Sequence, residues 1–399
     1  MKRKYLRHPM ETAKAAKATF TMRFNVWSFA RHGKRRFQGD PRYDLQNVTD
    51  GFRSRLDDSK DDAILKRISA AYCAAARQEK SAPLTYAATE RRQRLRQGNL
   101  APVIGALLAQ NVDALRRMYR NFYRDACSSG IVGLPGGLSK AYFGGTIRDM
   151  YRHFYLSHVL YRLDYWKSLT NGRFTVQELR GPEVGNPFGL VINGTHISVG
   201  SEYAHYCAQR VAGELKPGSA TVAEIGGGFG GMAYYLLRDR QNTTYLDFDV
   251  PESIALASYY LMKAFPTLRF FLYGEGTLTH DAIAQADVVM LPTFALSTMP
   301  AASADLTFSS HGMAELSSAA MVEYLKEICR MTRKGLLLIG NQRVGEMVSE
   351  IVRADHWPFS LTNTSLSGWH SHKVSGAGVG GAAGRAASTA FEQSYSRSS

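Results

Sequence analysis

Glu224-Ile225-Gly226-Gly227-Gly228-Phe229-Gly230-Gly231 combines a carboxylate with a glycine cluster compact enough to be a single turn. Glycines let a backbone turn tightly and approach a ligand closely. Gly226, Gly228 and Gly231 satisfy GxGxxG, the dinucleotide pattern, whereas Gly226, Gly228 and Gly230 satisfy GxGxG, the pattern of S-adenosylmethionine (SAM) methyltransferases; Gly227 completes the cluster. Glu224 weighs between the two. Its carboxylate would repel a pyrophosphate seated over the loop and attract the ammonium of a methionine moiety, which favours SAM over NAD. Asp249, 25 residues further on, stands where an acid accepts hydrogen bonds from ribose hydroxyls. Asp247 is on the same side of the strand and is the alternative ribose ligand, or a helix N-terminal charge. The plain alternative is a tight turn with no ligand.

A second constellation is Ser309-Ser310-His311-Gly312-Met313-Ala314-Glu315. If the acceptor of a transferred group is a hydroxyl, some side chain must remove its proton as the new bond forms. His311 is the candidate base, since it follows a predicted strand at the carboxyl end of the sheet, where ligands of such folds bind. Glu315 would orient the imidazole if the segment starts a helix; otherwise the pair is a loop histidine and a helix N-terminal acid. His196 and His205 flank Ser201-Glu202-Tyr203 in a segment that would cap the cleft, and packing roles suit them better. His370 and His372 are expected on a late strand at the cleft rim, and without a third ligand no metal site is expected. An Asn-Pro-Pro-aromatic or Asp-Pro-Pro-aromatic run, which would grip a planar amino group, does not follow the Asp305 strand.

From about residue 220 short apolar runs alternate with amphipathic helices, the signature of a parallel sheet wrapped by helices. Strands are expected at Thr221–Ile225, Thr243–Phe248, Arg269–Tyr273, Val288–Leu291, Asp305–Phe308 and Leu336–Ile339, with helices at Met232–Arg238 and from Pro251 to about Phe265. Upstream, Ile147, Met150, Tyr151, Phe154 and Tyr155 recur at helical spacing and read as core. The expected organisation is a basic helical region over 1–130, a helical cap contributing to an acceptor site over 131–215, a catalytic domain over 216–373, and a disordered Gly/Ala/Ser tail over 374–399.

The glycine loop, the Ala233-Tyr234-Tyr235-Leu236-Leu237 that follows it, Asp249-Val250-Pro251-Glu252-Ser253 and Ser258-Tyr259-Tyr260-Leu261 together resemble the sugar O-methyltransferases of bacteria. Gly185-Asn186-Pro187-Phe188-Gly189, Leu291-Pro292 and Met313-Ala314-Glu315-Leu316 extend the resemblance over about 180–372. Ser309 and Gly312 depart from the Asn and Ser expected of the family. The resemblance implies a Rossmann-like class I methyltransferase fold, SAM as donor, and a sugar hydroxyl as acceptor in a polysaccharide, glycolipid or activated precursor. The rival readings are an NAD(P)-dependent oxidoreductase and a non-catalytic binding module with a vestigial core.

The 399 residues carry a formal charge of +15, and the whole excess lies in 1–130, which hold 27 Lys+Arg against 12 Asp+Glu. Such a block suits an anionic membrane face or a solvated helical surface; nucleic acid is not favoured, because no aromatic-interleaved basic motif is evident. Cys73, Cys127, Cys207 and Cys329 are widely spaced and read as free thiols. With no signal-like or membrane-spanning run, the expected location is the cytoplasm, with peripheral contact at the inner membrane face.

Overall fold

The apolar runs between glycine and proline turns become strands: those expected at 221–225, 243–248 and 288–291 gain one residue each, those at 305–308 and 336–339 gain three and six, and that at 269–273 loses one residue at each end. A computed structural model describes residues 9–57, 60–132, 149–354, 357–367, 369 and 390–397. After a short hairpin, β1 (Gly189–Ile192) and β2 (Thr195–Ser198), come β3 (Ala220–Ile225), β4 (Thr243–Asp249), β5 (Phe270–Leu272), β6 (Val288–Pro292), β7 (Ala304–Ser310), β8 (Thr332–Asn341), β9 (Phe359–Ser367) and β10 (Ala390–Arg397). The last eight form one sheet in the order β5-β6-β4-β3-β7-β8-β10-β9. Pairing is parallel from β5 to β8, and β10 runs antiparallel to both its neighbours. This is the expected Rossmann-like α/β sheet.

The helices are α1 (Pro9–Arg36), α2 (Leu45–Gly51), α3 (Asp62–Glu79), α4 (Glu90–Gln97), α5 (Ala101–Leu108), α6 (Val112–Tyr119), α7 (Asp149–Leu169), α8 (Ser201–Glu214), α9 (Gly231–Asp239), α10 (Pro251–Ala264), α11 (His280–Gln285), α12 (Ser318–Met331) and α13 (Gln342–Ala354). Alternate residues of the central strands feed two apolar clusters, one on each face of the sheet: Val222, Tyr245, Met290 and Phe308 on one, Ala223, Leu246, Val289 and Leu336 on the other. Among the described residues no helix is long and apolar enough to cross a membrane.

The tail needs correction, because residues 390–397 are an interior strand and not disordered. Its composition is polar, so nothing in it reads as core, yet each buried polar group finds a partner. Tyr206 donates to both carboxylate oxygens of Glu392 at 2.8 and 2.7 Å, Arg210 Nε reaches the same group, and Gln393 donates to Ser349 at 3.1 Å. Tyr395 fills the core beside them.

The basic region is built into the sheet domain. Glu252, buried in the first turn of α10, accepts from Arg92 at 2.7 Å and from Arg96 at 2.8 Å on each oxygen, while Arg96 also binds Glu79. Burial pushes the Glu252 carboxyl up, but the two arginines outweigh it and hold it below its usual range. Arg67 pairs with Glu275, Lys263 with Asp57, and Asp61 accepts from Arg116 and from the Tyr259 hydroxyl. Much of the excess positive charge is therefore spent on contacts within the chain.

Candidate active site around the glycine loop

The loop leaves β3 and enters α9 with almost no space to spare. Gly226 has φ +84°, and a Cβ there would lie 2.4 Å from the Cα of Gly312. The reverse also holds, since a Cβ on Gly312 would stand 2.1 Å from the carbonyl oxygen of Ile225. Ser309 Oγ donates to that same carbonyl at 2.8 Å. The two departures from the family pattern are thus a matched pair, one bonding to the loop and the other making room for it.

Three carboxyl groups lie beneath the loop on one face of the sheet. Glu224 of β3 and Asp247 of β4 are register partners on adjacent parallel strands, and Asp249 is two residues beyond Asp247. Tyr245, from the same face, donates to Glu224 Oε2 at 2.6 Å. Asp247 is fully buried behind Gly227, opens on neither of the cavities described below, and has no side-chain hydrogen-bond partner among the described residues, only the backbone N–H groups of Gly227 and Phe248 acting on its carboxyl. Its position does not suit the ribose role considered for it. Asp249 accepts from Gly228 N at 2.9 Å and Val250 N at 2.6 Å, so it braces the loop as well as facing open space. Burial pushes the Glu224 carboxyl up to about 7, against the Tyr245 hydrogen bond; it also raises Asp247, with repulsion from Glu224 adding to it, and Asp249. Among the described residues none of the three forms an ion pair within 4 Å.

Two cavities meet at the loop. The larger, about 550 Å³, carries Glu224 and is walled by Tyr123, Tyr155, Tyr203, Tyr235 and Tyr260 together with Arg162, Glu202 and His158. The smaller, about 400 Å³, carries Asp249, Val250 and Thr293, and its outer wall is Tyr86, Thr89, Arg91 and Arg92. Gly226, Gly228, Ser310 and His311 line both.

His311 sits at that junction, at the carboxyl end of β7. Its backbone has φ +62°, a conformation unusual for a side-chain-bearing residue, and its N–H donates to Ile339 O at 3.1 Å. Burial lowers its pKa, so the imidazole is neutral at ordinary pH. Tyr203 packs beside it, and the Tyr203 hydroxyl is 2.5 Å from Ser310 Oγ.

Glu315 requires correction in its surroundings. Residues 311–315 form bends and turns, and the helix begins only at Ser318, capped by the Ser317 side chain bonding to Ala320 N at 3.2 Å. The Glu315 carboxylate accepts from Thr89 at 2.9 Å and Arg91 at 2.5 Å, linking the β7 turn to the N-terminal wall. His205 accepts from Trp166 Nε1 at 3.2 Å, and His196 Nε2 is 3.3 Å from Gly51 O; neither opens on the two cavities. His370 and His372 lie outside the described residues. Sequence reasoning missed the Tyr86–Arg92 wall and the buried Arg162–Glu202 pair, whose partners are far apart in the chain and carry no local motif.

No family model and no curated protein matches the chain. Similar solved structures include magnesium protoporphyrin IX methyltransferase (ChlM) from Synechocystis PCC 6803 with bound SAM, at 12% identity and TM-score 0.33, covering 60% of this chain and 97% of that one. Others are the B. subtilis tRNA methyltransferase TrmK (12%, TM-score 0.31, 48% and 65% covered) and the pyocyanin biosynthetic protein PhzM (11%, TM-score 0.32, 49% and 56% covered). At these identities and scores the likenesses carry no argument about cofactor or acceptor.

Proposed function

We propose that the chain is a SAM-dependent O-methyltransferase whose acceptor is a sugar hydroxyl. The observation that carries the reading is the trio of buried carboxyls under a glycine loop, none of which makes an ion pair within 4 Å among the described residues; the nearest cationic influence is Arg92, which acts on Asp249 from the wall of the smaller cavity and leaves Glu224 to a cationic ligand. A dinucleotide would bring a diphosphate against Glu224 and add repulsion, whereas the ammonium of SAM would supply a positive partner for that carboxyl. Glu224 would hold the amino-acid end, and Asp249 the ribose. Backbone of Gly226–Gly228 would lie against the ligand between them. SAM supplies a methyl carbon made electrophilic by its sulfonium.

His311, neutral and at the junction of the two cavities, is suited to take the proton of an acceptor hydroxyl. The larger cavity would hold the acceptor, and alignment of the reacting atoms there is the main contribution the walls make. Tyrosine faces with a few polar groups at the edge suit the apolar faces and hydroxyl rims of a sugar ring. That feature and the family resemblance support the acceptor class.

Calorimetry with SAM, NAD and NADP tests the cofactor: SAM alone should bind, and a dinucleotide binding in its place would refute the reading. Labelled SAM incubated with glycan extracts tests the acceptor, and label recovered only in a non-carbohydrate fraction would exclude a sugar.

A further inference from the structure

Helix α1 has two faces of opposite character. Val26, Ala30, Gly33 and the following Phe37 are buried, with Phe29 packing on Phe154 and Tyr161 of α7. On the other side Phe20, Phe24 and Trp27 are 73%, 55% and 45% exposed. At 100° per residue these three and Arg31 fall within an arc of about 60°. Arg23 and Lys34 border that arc on one side and Arg35 on the other, all exposed. Arg31 stacks over the Trp27 ring at 5.4 Å, and Phe24 lies 5.9 Å from it. Residues 12–39 contain seven Lys and Arg and no acid. The aromatic interleaving that the sequence reading did not find in the basic region is assembled here by the helix.

We propose that this outer face of α1 is a docking surface for an anionic lipid bilayer. Aromatic rings with cationic neighbours are what the headgroup boundary takes up: the rings enter the acyl edge, and the lysines and arginines stay with the lipid phosphates. Contact with phosphates alone would leave three large apolar side chains in water. A nucleic acid is disfavoured because the rings stand on a convex helix and not in a groove that could track a strand. The proposal is independent of the methyltransferase reading, since none of these residues lines either cavity at the glycine loop.

The test is co-sedimentation of the full chain with vesicles of phosphatidylcholine alone and of phosphatidylcholine with phosphatidylglycerol. Binding should require the anionic lipid, weaken with added salt, and fall at least about tenfold in the Phe20→Ser, Phe24→Ser, Trp27→Ser triple variant and in Arg23→Ala, Arg31→Ala, Lys34→Ala, Arg35→Ala. Both variants change exposed residues, and unchanged thermal melting will show that they fold. Equal binding to both vesicle types, no binding, or full binding by either variant overturns the proposal. So does loss, in the aromatic variant, of a band shift with single-stranded RNA or of a solution dimer while vesicle binding is absent.

Discussion

Replacing Glu224 by Gln should stabilise the protein without ligand while weakening its hold on SAM. Glu224 and Asp247 are partners on adjacent strands, about 4.8 Å apart in the pairing direction. Two unit charges at that spacing, with an effective dielectric of about 20, repel by about 3.5 kcal/mol. The protein avoids much of this by keeping a proton, since burial raises the Glu224 pKa from 4.5 to about 7. A folded carboxyl that keeps its proton to higher pH than the unfolded chain gives stability that is complete below about 4.5 and is lost as pH climbs through about 7. At about 1.4 kcal/mol per unit, that loss is on the order of 3 kcal/mol. Glutamine keeps an acceptor for the Tyr245 hydroxyl and carries no charge. The variant should therefore match wild type near pH 4.5 and exceed it by about 1–3 kcal/mol at pH 8. Losing a charged hydrogen bond to an ammonium should weaken SAM binding roughly 10- to 100-fold. Thermal melts across this pH range and calorimetry with SAM measure both. A variant with the wild-type pH slope, or with undiminished affinity for SAM, would refute the reasoning.

Gly312→Ala places a methyl 2.1 Å from the Ile225 carbonyl, so the loop and the β7 turn must part; a loss of about 1–3 kcal/mol in denaturant unfolding and weaker SAM binding are expected. Glu252→Ala leaves Arg92, at the wall of the small cavity, without its carboxylate and Arg96 with Glu79 alone, and should cost about 3–5 kcal/mol, read by chemical denaturation, with faster proteolysis in the 80–100 segment. His311→Ala should lower kcat roughly 100- to 10,000-fold with SAM affinity kept. Because burial lowers the His311 pKa, the wild-type kcat profile should lose activity only below pH 6.5, and an acid limb centred above that value would argue for another base.

The central strands were legible because both sheet faces are covered, which makes each strand a short unbroken apolar run between turn residues. The glycine loop was legible for a different reason: only glycine tolerates its positive φ and its contact with Gly312, so the geometry leaves a compositional trace. The helix on which an orienting role for Glu315 depended does not start there, and Ser317, a favoured cap, marks the start of α12. Strand β10 left no trace, since an interior strand that satisfies Glu392 and Gln393 through Tyr206 and Ser349 looks, residue by residue, like a polar tail. The wall made by Tyr86 to Arg92 was equally silent. Its arginines read as surface charge, and only the fold brings Glu252 and Glu315 to meet them.

That wall bears on how the chain can be cut. A minimal catalytic fragment beginning after residue 130 would leave a buried acid in α10 without its counter-charges and open one side of the chamber beside Asp249 to solvent. The first third behaves as masonry of that chamber, and trimming should begin no further in than α1.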